Sequence, residues 1–151
     1  MPQEQRTYMC IDMKSFYASV ECAERCLNPF ETCLVVADET RGENALCLAI
    51  SPKMKALGIK NRCRLSEIPK DVKYIIAPPR MQLYIDYAAD IYAIYLNYFS
   101  PDDIHVYSID ESLCVNYGPR SSVTKTVISM LQSFISHDRY TIDRDKETIL
   151  A

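Results

Sequence analysis

Apolar residues along the chain form short runs and helical stripes, which predict alternating strands and helices. Short apolar runs predict strands at residues 8–11, 34–37, 45–50 and 73–77. Apolar residues at helical spacing predict helices at residues 15–26, 52–57, 81–99 and 121–137. We expect the first strand to be buried and the second to pair with the third. The charged tail at residues 138–146 has no clear pattern.

Two predicted helices have recognisable starts, and the longest one carries an aromatic stripe. Ser15 is expected to cap the first helix, and Ser51 with Pro52 should start the second, which ends at Gly58. The stripe predicts a half-buried helix that packs on a sheet, although stacking on nucleic-acid bases stays open as an alternative. Its members are Tyr84, Ala88, Ile91, Tyr95 and Phe99.

Composition restricts the environment and the partners of the chain. At 151 residues it can bury one hydrophobic core, and its net charge of −3 gives no overall basic field for gripping nucleic acid. Seven cysteines without CxxC spacing predict buried reduced thiols, with a zinc site at Cys22 and Cys26 as a weaker alternative. We see no signal peptide and no membrane-spanning run, so we expect a cytoplasmic protein.

Three acidic residues are the candidate chemistry of the chain. Asp110 and Glu111 interrupt two apolar runs where a hairpin is expected to turn, and Asp12 follows the first predicted strand. Three such carboxylates would suit Mg²⁺, and two ions about 3.5–4 Å apart could serve phosphoryl or nucleotidyl transfer. From spacing alone, the simpler interpretation is that the paired acids solvate the tip of a hairpin.

The three acids lie in the first and last of four runs that occur in order at residues 12–21, 51–60, 99–101 and 107–112. The first and last runs are similar to the two catalytic motifs of Y-family translesion DNA polymerases, and the second is similar to their fingers motif. The resemblance is closest to the bacterial UmuC-like (ImpB/MucB/SamB) branch and extends over residues 8–119. It implies an α+β fold, with a ferredoxin-like polymerase palm and a small inserted fingers domain.

The same resemblance implies domain limits and residue roles. The palm would comprise residues 1–26 and 79–151, and the fingers residues 27–78. Two Mg²⁺ ions would be bound by the carboxylates of the catalytic residues Asp12, Asp110 and Glu111. The backbone carbonyl of Met13 would join them. The residues that would bind the deoxynucleoside triphosphate are Met13, Phe16, Tyr17 and Lys55. Tyr17 would exclude a ribose 2′-hydroxyl by its volume, and Lys55 would contact the triphosphate.

The implied function is template-directed addition of a deoxynucleotide to a primer 3′-hydroxyl, in translesion DNA repair and SOS mutagenesis. Pro52 departs from the family, because many relatives place there a tyrosine that touches the triphosphate, and Lys14 replaces an acid found in some of them. The thumb and little finger of the family are absent from the sequence. Binding to primer-template DNA should therefore be weak and salt-dependent, and polymerisation by this fragment weak or absent.

Two other functions stay open on the sequence alone. The chain could be a truncated, non-catalytic relative that acts through contacts with replication or repair proteins. It could also be a nucleotide cyclase, since such enzymes place acids on a palm-like hairpin. The cyclase hypothesis leaves Phe16, Tyr17 and Lys55 unexplained.

Overall fold

The computed structural model describes residues 5–135, 141–143 and 148–150. Residues 136 and 137 of the fourth predicted helix, and most of the charged tail, lie outside the described residues. The helices are α1 (Phe16–Glu24), α2 (Pro52–Ala56), α3 (Met81–Tyr95) and α4 (Arg120–Ile135). The strands are β1 (Arg6–Asp12), β2 (Leu34–Val36), β3 (Ala49–Ile50), β4 (Ile75–Ala77), β5 (Ile104–Val106), β6 (Glu111–Tyr117), β7 (Thr141–Asp143) and β8 (Thr148–Leu150).

The first sheet is antiparallel, with β6 between β1 and β5. The β5–β6 hairpin confirms the turn predicted around the paired acids. The prediction that β1 is a buried strand is wrong, because its residues alternate between exposed and half-buried and Tyr8 is 60% exposed. An antiparallel sheet can leave one face in water, and apolar residues on that face then extend a run that resembles a buried strand.

The second sheet has β2 in its centre, antiparallel to β3 and parallel to β4. This arrangement confirms the predicted pairing of the second and third apolar runs. All three residues of β2 are buried. Leu34 and Val36 belong to the cluster that contains residues of α1, whereas Val35 packs in a second cluster with Cys47, Ile50 and Met54. Burial on both faces explains why β2 is apolar throughout.

The aromatic stripe on α3 faces the larger core. Tyr84, Ile91, Tyr95 and Phe99 are all buried there, and Ala88 packs against the same cluster. The interpretation of this stripe as core is therefore confirmed, and these buried rings are not available for stacking on bases.

The two helix starts that were predicted differ in the structure. The Ser51 hydroxyl accepts a hydrogen bond from the Met54 backbone N–H, which confirms the predicted cap of α2. Ser15 precedes α1 but makes no capping hydrogen bond, so that prediction is wrong. Its backbone is left-handed, with φ 51° and ψ 42°, and turns the chain sharply from β1 into α1.

All seven cysteines are free, and Cys22, Cys47, Cys63 and Cys114 are buried as the composition predicted. Burial raises the pKa of the Cys22 and Cys114 thiols to about 11, which keeps them protonated. Cys10 and Cys26 are exposed and Cys33 is half-buried, so the prediction of buried thiols is wrong for these three. In the described part of the chain, no helix has the length and apolar character needed to cross a membrane.

A buried carboxylate joins α1 to α3. Glu21 is fully buried on α1, and Arg80, which immediately precedes α3, donates to both of its oxygens at 2.9 and 2.5 Å. The Tyr84 hydroxyl donates to the same carboxylate at 2.7 Å, and Arg25 pairs with it from the end of α1. Burial alone would raise the pKa of Glu21, but the hydrogen bonds from Arg80, Arg25 and Tyr84 outweigh it and lower that pKa.

We expect Glu21→Gln to lower the free energy of unfolding by about 3 kcal/mol, near the low end for a broken buried ion pair because both arginines are partly in water. Chemical denaturation at pH 7 measures the change. Glu31→Gln, at an exposed position, serves as the control and should change stability by less than about 0.5 kcal/mol. Equal stabilities of wild type and Glu21→Gln would contradict the role given to this carboxylate.

The stabilisation by Glu21 should also depend on pH. A carboxyl whose pKa is lower in the folded state stabilises the protein above its unfolded pKa, about 4.3, and loses that contribution as the pH falls through the folded value. The difference in denaturation midpoint between wild type and Glu21→Gln should therefore be constant near neutral pH and shrink below about pH 4. A difference that grows as the pH is lowered would contradict this.

Candidate functional site

One polar cavity of about 340 Å³ brings together every site residue predicted from the sequence. Asp12 ends β1, and Met13 follows it. Lys55 lies on α2, and the others begin α1 or belong to the β5–β6 hairpin. The residues that line the cavity include Asp12, Met13, Phe16, Tyr17, Lys55, Asp110 and Glu111. Segments nearly 100 positions apart in the sequence thus meet around one volume.

The carboxylates are positioned by the pairing of β1 with β6. Asp12 lies directly opposite Glu111 in the antiparallel register, a relation that places Cβ atoms about 4.5–5.5 Å apart on the same face. The next backbone N–H, that of Met13, donates to the Asp110 carbonyl oxygen at 2.8 Å. The Ser108 hydroxyl donates to the Asp110 carboxylate at 2.9 Å and orients it within the turn.

The donor set is of the kind that hard divalent cations prefer. Three carboxylates from adjacent backbone positions face a polar cavity, without a competing cysteine or histidine in its lining. Within residues 5–135 and the two short described strands, however, no three side chains of His, Cys, Asp or Glu converge into a metal cluster. The residues fit a magnesium site in chemistry and backbone placement, while their side chains do not form a closed ligand shell.

The start of α1 offers further polar groups to the cavity. Ser15 lines it, and the buried Ser15 hydroxyl oxygen has no hydrogen-bond partner among the described residues. No side chain caps α1, so its first backbone N–H groups lack the usual partner. The uncapped N-terminus of a helix favours a negatively charged group such as a phosphate.

Two aromatic residues form the first turn of α1. Phe16 is buried and Tyr17 is half-buried, and both line the cavity. The Tyr17 ring stacks on Tyr84 of α3, with ring centroids 4.5 Å apart and planes inclined by 14°. Burial raises the pKa of Tyr17, the negative charge of Asp110 raises it further, and Arg62 opposes this change. Tyr17 therefore stays a neutral phenol at physiological pH.

Lys55 and Lys14 bring positive charge to the same cavity. Burial lowers the pKa of Lys55, the positive charge of Lys14 lowers it further, and the negative charge of Asp12 acts in the opposite direction. The pKa of Lys55 therefore depends on both the acidic and the basic residues that line the cavity. Because the Lys55 ammonium group is partly desolvated, binding of an anion beside it would stabilise its charged form.

Sequence reasoning did not identify Asn61 and Arg62, which also line the cavity. Arg62 has a left-handed backbone, with φ 57°, in the connection after α2. The alternation of basic residues at Lys60, Arg62 and Arg64 was an available signal, but nothing in the sequence located that segment beside Asp110. Of the two family departures, Lys14 lines the cavity and Pro52 is buried at the start of α2.

A roomier cavity lies away from these residues. It has a volume of about 570 Å³ and is lined by residues from the second sheet and its connections, including Glu43, Lys70 and Tyr74. None of the predicted site residues lines it. The convergence of acids and cations therefore favours the smaller of these two cavities as the candidate site, although size alone would favour the roomier one.

Comparison with known proteins gives sequence matches over most of the chain. The profile of the impB/mucB/samB family matches residues 11–137. The DNA repair protein homolog YozK of Bacillus subtilis (strain 168) is 40% identical over 103 residues, which are 68% of this chain and 90% of YozK. DNA polymerase IV 2 of the same organism is 37% identical over 111 residues, 72% of this chain and 26% of that protein.

A solved structure shares the fold. The insertion ternary complex of Dbh DNA polymerase matches with a TM-score of 0.73 at 19% identity, over 96% of this chain and 41% of that one. At this identity the likeness concerns the fold alone. The chain spans about a quarter of DNA polymerase IV 2 and about two fifths of Dbh.

The electrostatics of the cavity can be tested through Lys55. We expect Lys14→Gln to raise the pKa of Lys55 toward its ordinary value and Asp12→Asn to lower it further, as the two neighbouring charges require. NMR titration of the lysine side chains measures this pKa. Lys53→Gln, also on α2, is the matched control and should leave it unchanged. A Lys55 pKa that responds to neither Lys14→Gln nor Asp12→Asn would contradict the arrangement.

Proposed function

We propose, from the premise that the chain belongs to the impB/mucB/samB family, that it provides the catalytic site of a Y-family DNA polymerase. The proposed reaction is Mg²⁺-dependent, template-directed addition of a deoxynucleotide to a primer 3′-hydroxyl during translesion DNA repair. One observation carries the proposal: the seven residues that the family resemblance selects all line a single cavity. All the residues proposed for metal binding and for nucleotide binding therefore lie within this cavity.

In this proposal the first sheet, with α1, α3 and α4, is a ferredoxin-like palm, and residues 27–78 are the fingers. The order β1–β6–β5 supports a ferredoxin-like palm, because it places the first strand beside the second strand of a later hairpin. The separate sheet β3–β2–β4, with its own buried cluster, supports an inserted fingers unit.

The metal-binding role falls to Asp12, Asp110, Glu111 and the backbone carbonyl of Met13. When bound, Mg²⁺ ions would supply the positive charge that activates the attacking oxygen and stabilises the leaving one. The chain's own contribution is to hold three carboxylates on neighbouring backbone positions. The hydrogen bond between Met13 and Asp110 fixes this register at the point where β1 ends.

The triphosphate of the incoming nucleotide would bind between α1 and the fingers. The uncapped N-terminus of α1 offers backbone N–H groups, and the unpartnered Ser15 hydroxyl lies beside them. Lys55 and Arg62 line the same cavity and add positive charge to it. These groups would offset the negative charge of the phosphates, a task for which Pro52 offers no side-chain donor.

Tyr17 would contact the sugar of the nucleotide. Its neutral, half-buried ring lines the cavity beside the acids. A rigid ring in that position excludes a ribose 2′-hydroxyl by volume, and thereby favours deoxynucleotides.

The wider cellular role is part of the same proposal. We place the activity in the cytoplasm and in the SOS response to DNA damage, where the protein would meet primer-template DNA and replication or repair proteins. The net charge of −3 gives these 151 residues no basic field of their own, so their binding to duplex DNA should be weak.

A non-catalytic role is the second candidate. Its support is the match to YozK, because the matched region makes up 90% of that protein. Such a protein would act through contacts with replication or repair proteins. Primer extension separates the two candidates, since Mg²⁺-dependent incorporation that disappears in Asp110→Ala would rule out the non-catalytic role.

We expect the chain to bind dATP in the presence of Mg²⁺ and Asp110→Ala to weaken that binding by tenfold or more, the equivalent of about 1.4 kcal/mol. Isothermal titration calorimetry with and without Mg²⁺ measures it. Asp102→Asn removes an exposed acid eight positions earlier, outside the cavity lining, and should bind dATP as wild type does. Identical affinities with and without Mg²⁺, or in wild type and Asp110→Ala, would contradict the proposed site.

A further inference from the structure

Glu21 lies one helical turn beyond Tyr17 on α1. Residues four positions apart share one face of a helix, and here both face the same residue of α3. The Glu21 carboxylate accepts a hydrogen bond from the Tyr84 hydroxyl at 2.7 Å, while the Tyr17 ring stacks on the Tyr84 ring. Tyr84 thus connects a buried charge to an aromatic ring that lines the candidate active site.

Burial, ring stacking and a hydrogen bond restrict the side chain of Tyr84 to one position. Its side chain is fully buried, and its ring and that of Tyr17 are nearly parallel, at 14°. A ring that is buried on its sides and hydrogen-bonded at its tip has no alternative rotamer without losing both interactions. Whatever fixes Tyr84 therefore limits the positions that the Tyr17 ring can adopt.

The charge cluster around Glu21 fixes the tip of Tyr84. Arg80 donates to both carboxylate oxygens, and Arg25 pairs with the same group, so the carboxylate cannot rotate freely. The Arg80 and Arg25 side chains are 43% and 32% exposed, respectively, whereas that of Glu21 is fully buried. The network therefore extends from the protein surface, through a buried carboxylate and a buried phenol, to the ring at the cavity.

We propose that Glu21 is a positioning residue, which acts through Tyr84 to hold the Tyr17 ring and thereby sets how strictly the site refuses a ribose 2′-hydroxyl. The inference rests on the proposed function, because it concerns the sugar selectivity of the same nucleotide site. Glu21 itself does not line the cavity. Its effect on selectivity is transmitted by the stacked rings.

The preference for dATP over ATP, measured as the ratio of their dissociation constants with Mg²⁺, tests this inference. We expect Glu21→Gln, which disrupts the hydrogen bond to Tyr84, to lower the preference by about fivefold, the factor that one lost hydrogen bond would give. Tyr84→Leu also removes the stacked ring and should lower the preference at least as much. Tyr84→Phe keeps the stacked ring and should lose less than Tyr84→Leu. Tyr87→Phe removes a hydroxyl that binds Glu24 on the same pair of helices, and this matched control should keep the wild-type preference.

A second readout does not depend on the nucleotide. The aromatic NMR signals of Tyr17, assigned with Tyr17→Phe, report the stacking of its ring in the free protein. They should change in Glu21→Gln and Tyr84→Phe and stay unchanged in Tyr87→Phe. Backbone NMR spectra verify that each variant is folded, and Tyr84→Phe, which keeps the buried volume, serves if Glu21→Gln does not fold.

The two proposals fail in different ways. If neither dATP nor ATP binds, the proposed function is wrong, and the Tyr17 signals still decide the positioning role. If both nucleotides bind and Tyr17→Ala loses the preference for dATP, while Glu21→Gln and Tyr84→Leu keep it, the positioning role is wrong. Unchanged Tyr17 signals in Glu21→Gln and Tyr84→Phe would overturn it equally.

Discussion

The buried carboxylate of Glu21 is the constraint on which the arrangement of the helices depends. An unpaired charge in the interior would cost several kcal/mol, roughly the size of much of a domain's net stability. Helix α3 must therefore approach α1 with Arg80 and Tyr84 at the points where they reach that carboxylate. This requirement fixes the crossing of two helices, and through it the place of the first turn of α1 at the cavity.

The pairing of β1 with β6 is an independent constraint on the same cavity. Because side chains alternate along a strand, a slip of one residue would turn Asp12 away from Glu111 to the other face of the sheet. The left-handed turn at Ser15 joins this sheet register to the helix pair over three residues. Backbone pairing thus places the carboxylates, and the buried charge of Glu21 places the Tyr17 ring. Both groups line the same cavity.

Local patterns predicted the elements well, and a resemblance of four runs predicted which residues would share a cavity. The pairing of β2 with β3 and the cap at Ser51 follow from apolar runs and turn chemistry, which are local. Ser15 and β1 were predicted wrongly, because a left-handed turn and a solvated sheet face are set by tertiary packing. Arg25 is four positions from Glu21, at helical spacing. The other two partners, Arg80 and Tyr84, lie 59 and 63 positions away, a distance at which no periodicity in the sequence can pair a carboxylate with its donors.

The central claim is that the acids at the β1–β6 junction form a metal-dependent nucleotide site. Paramagnetic broadening by Mn²⁺ in the presence of dATP tests it directly, because broadening falls steeply with distance from the ion and can be read at each backbone amide. Broadening centred on Asp12, Met13, Asp110 and Glu111 is the predicted result. Broadening centred on the larger cavity beside Glu43 and Tyr74, or spread evenly over surface acids, would contradict the claim.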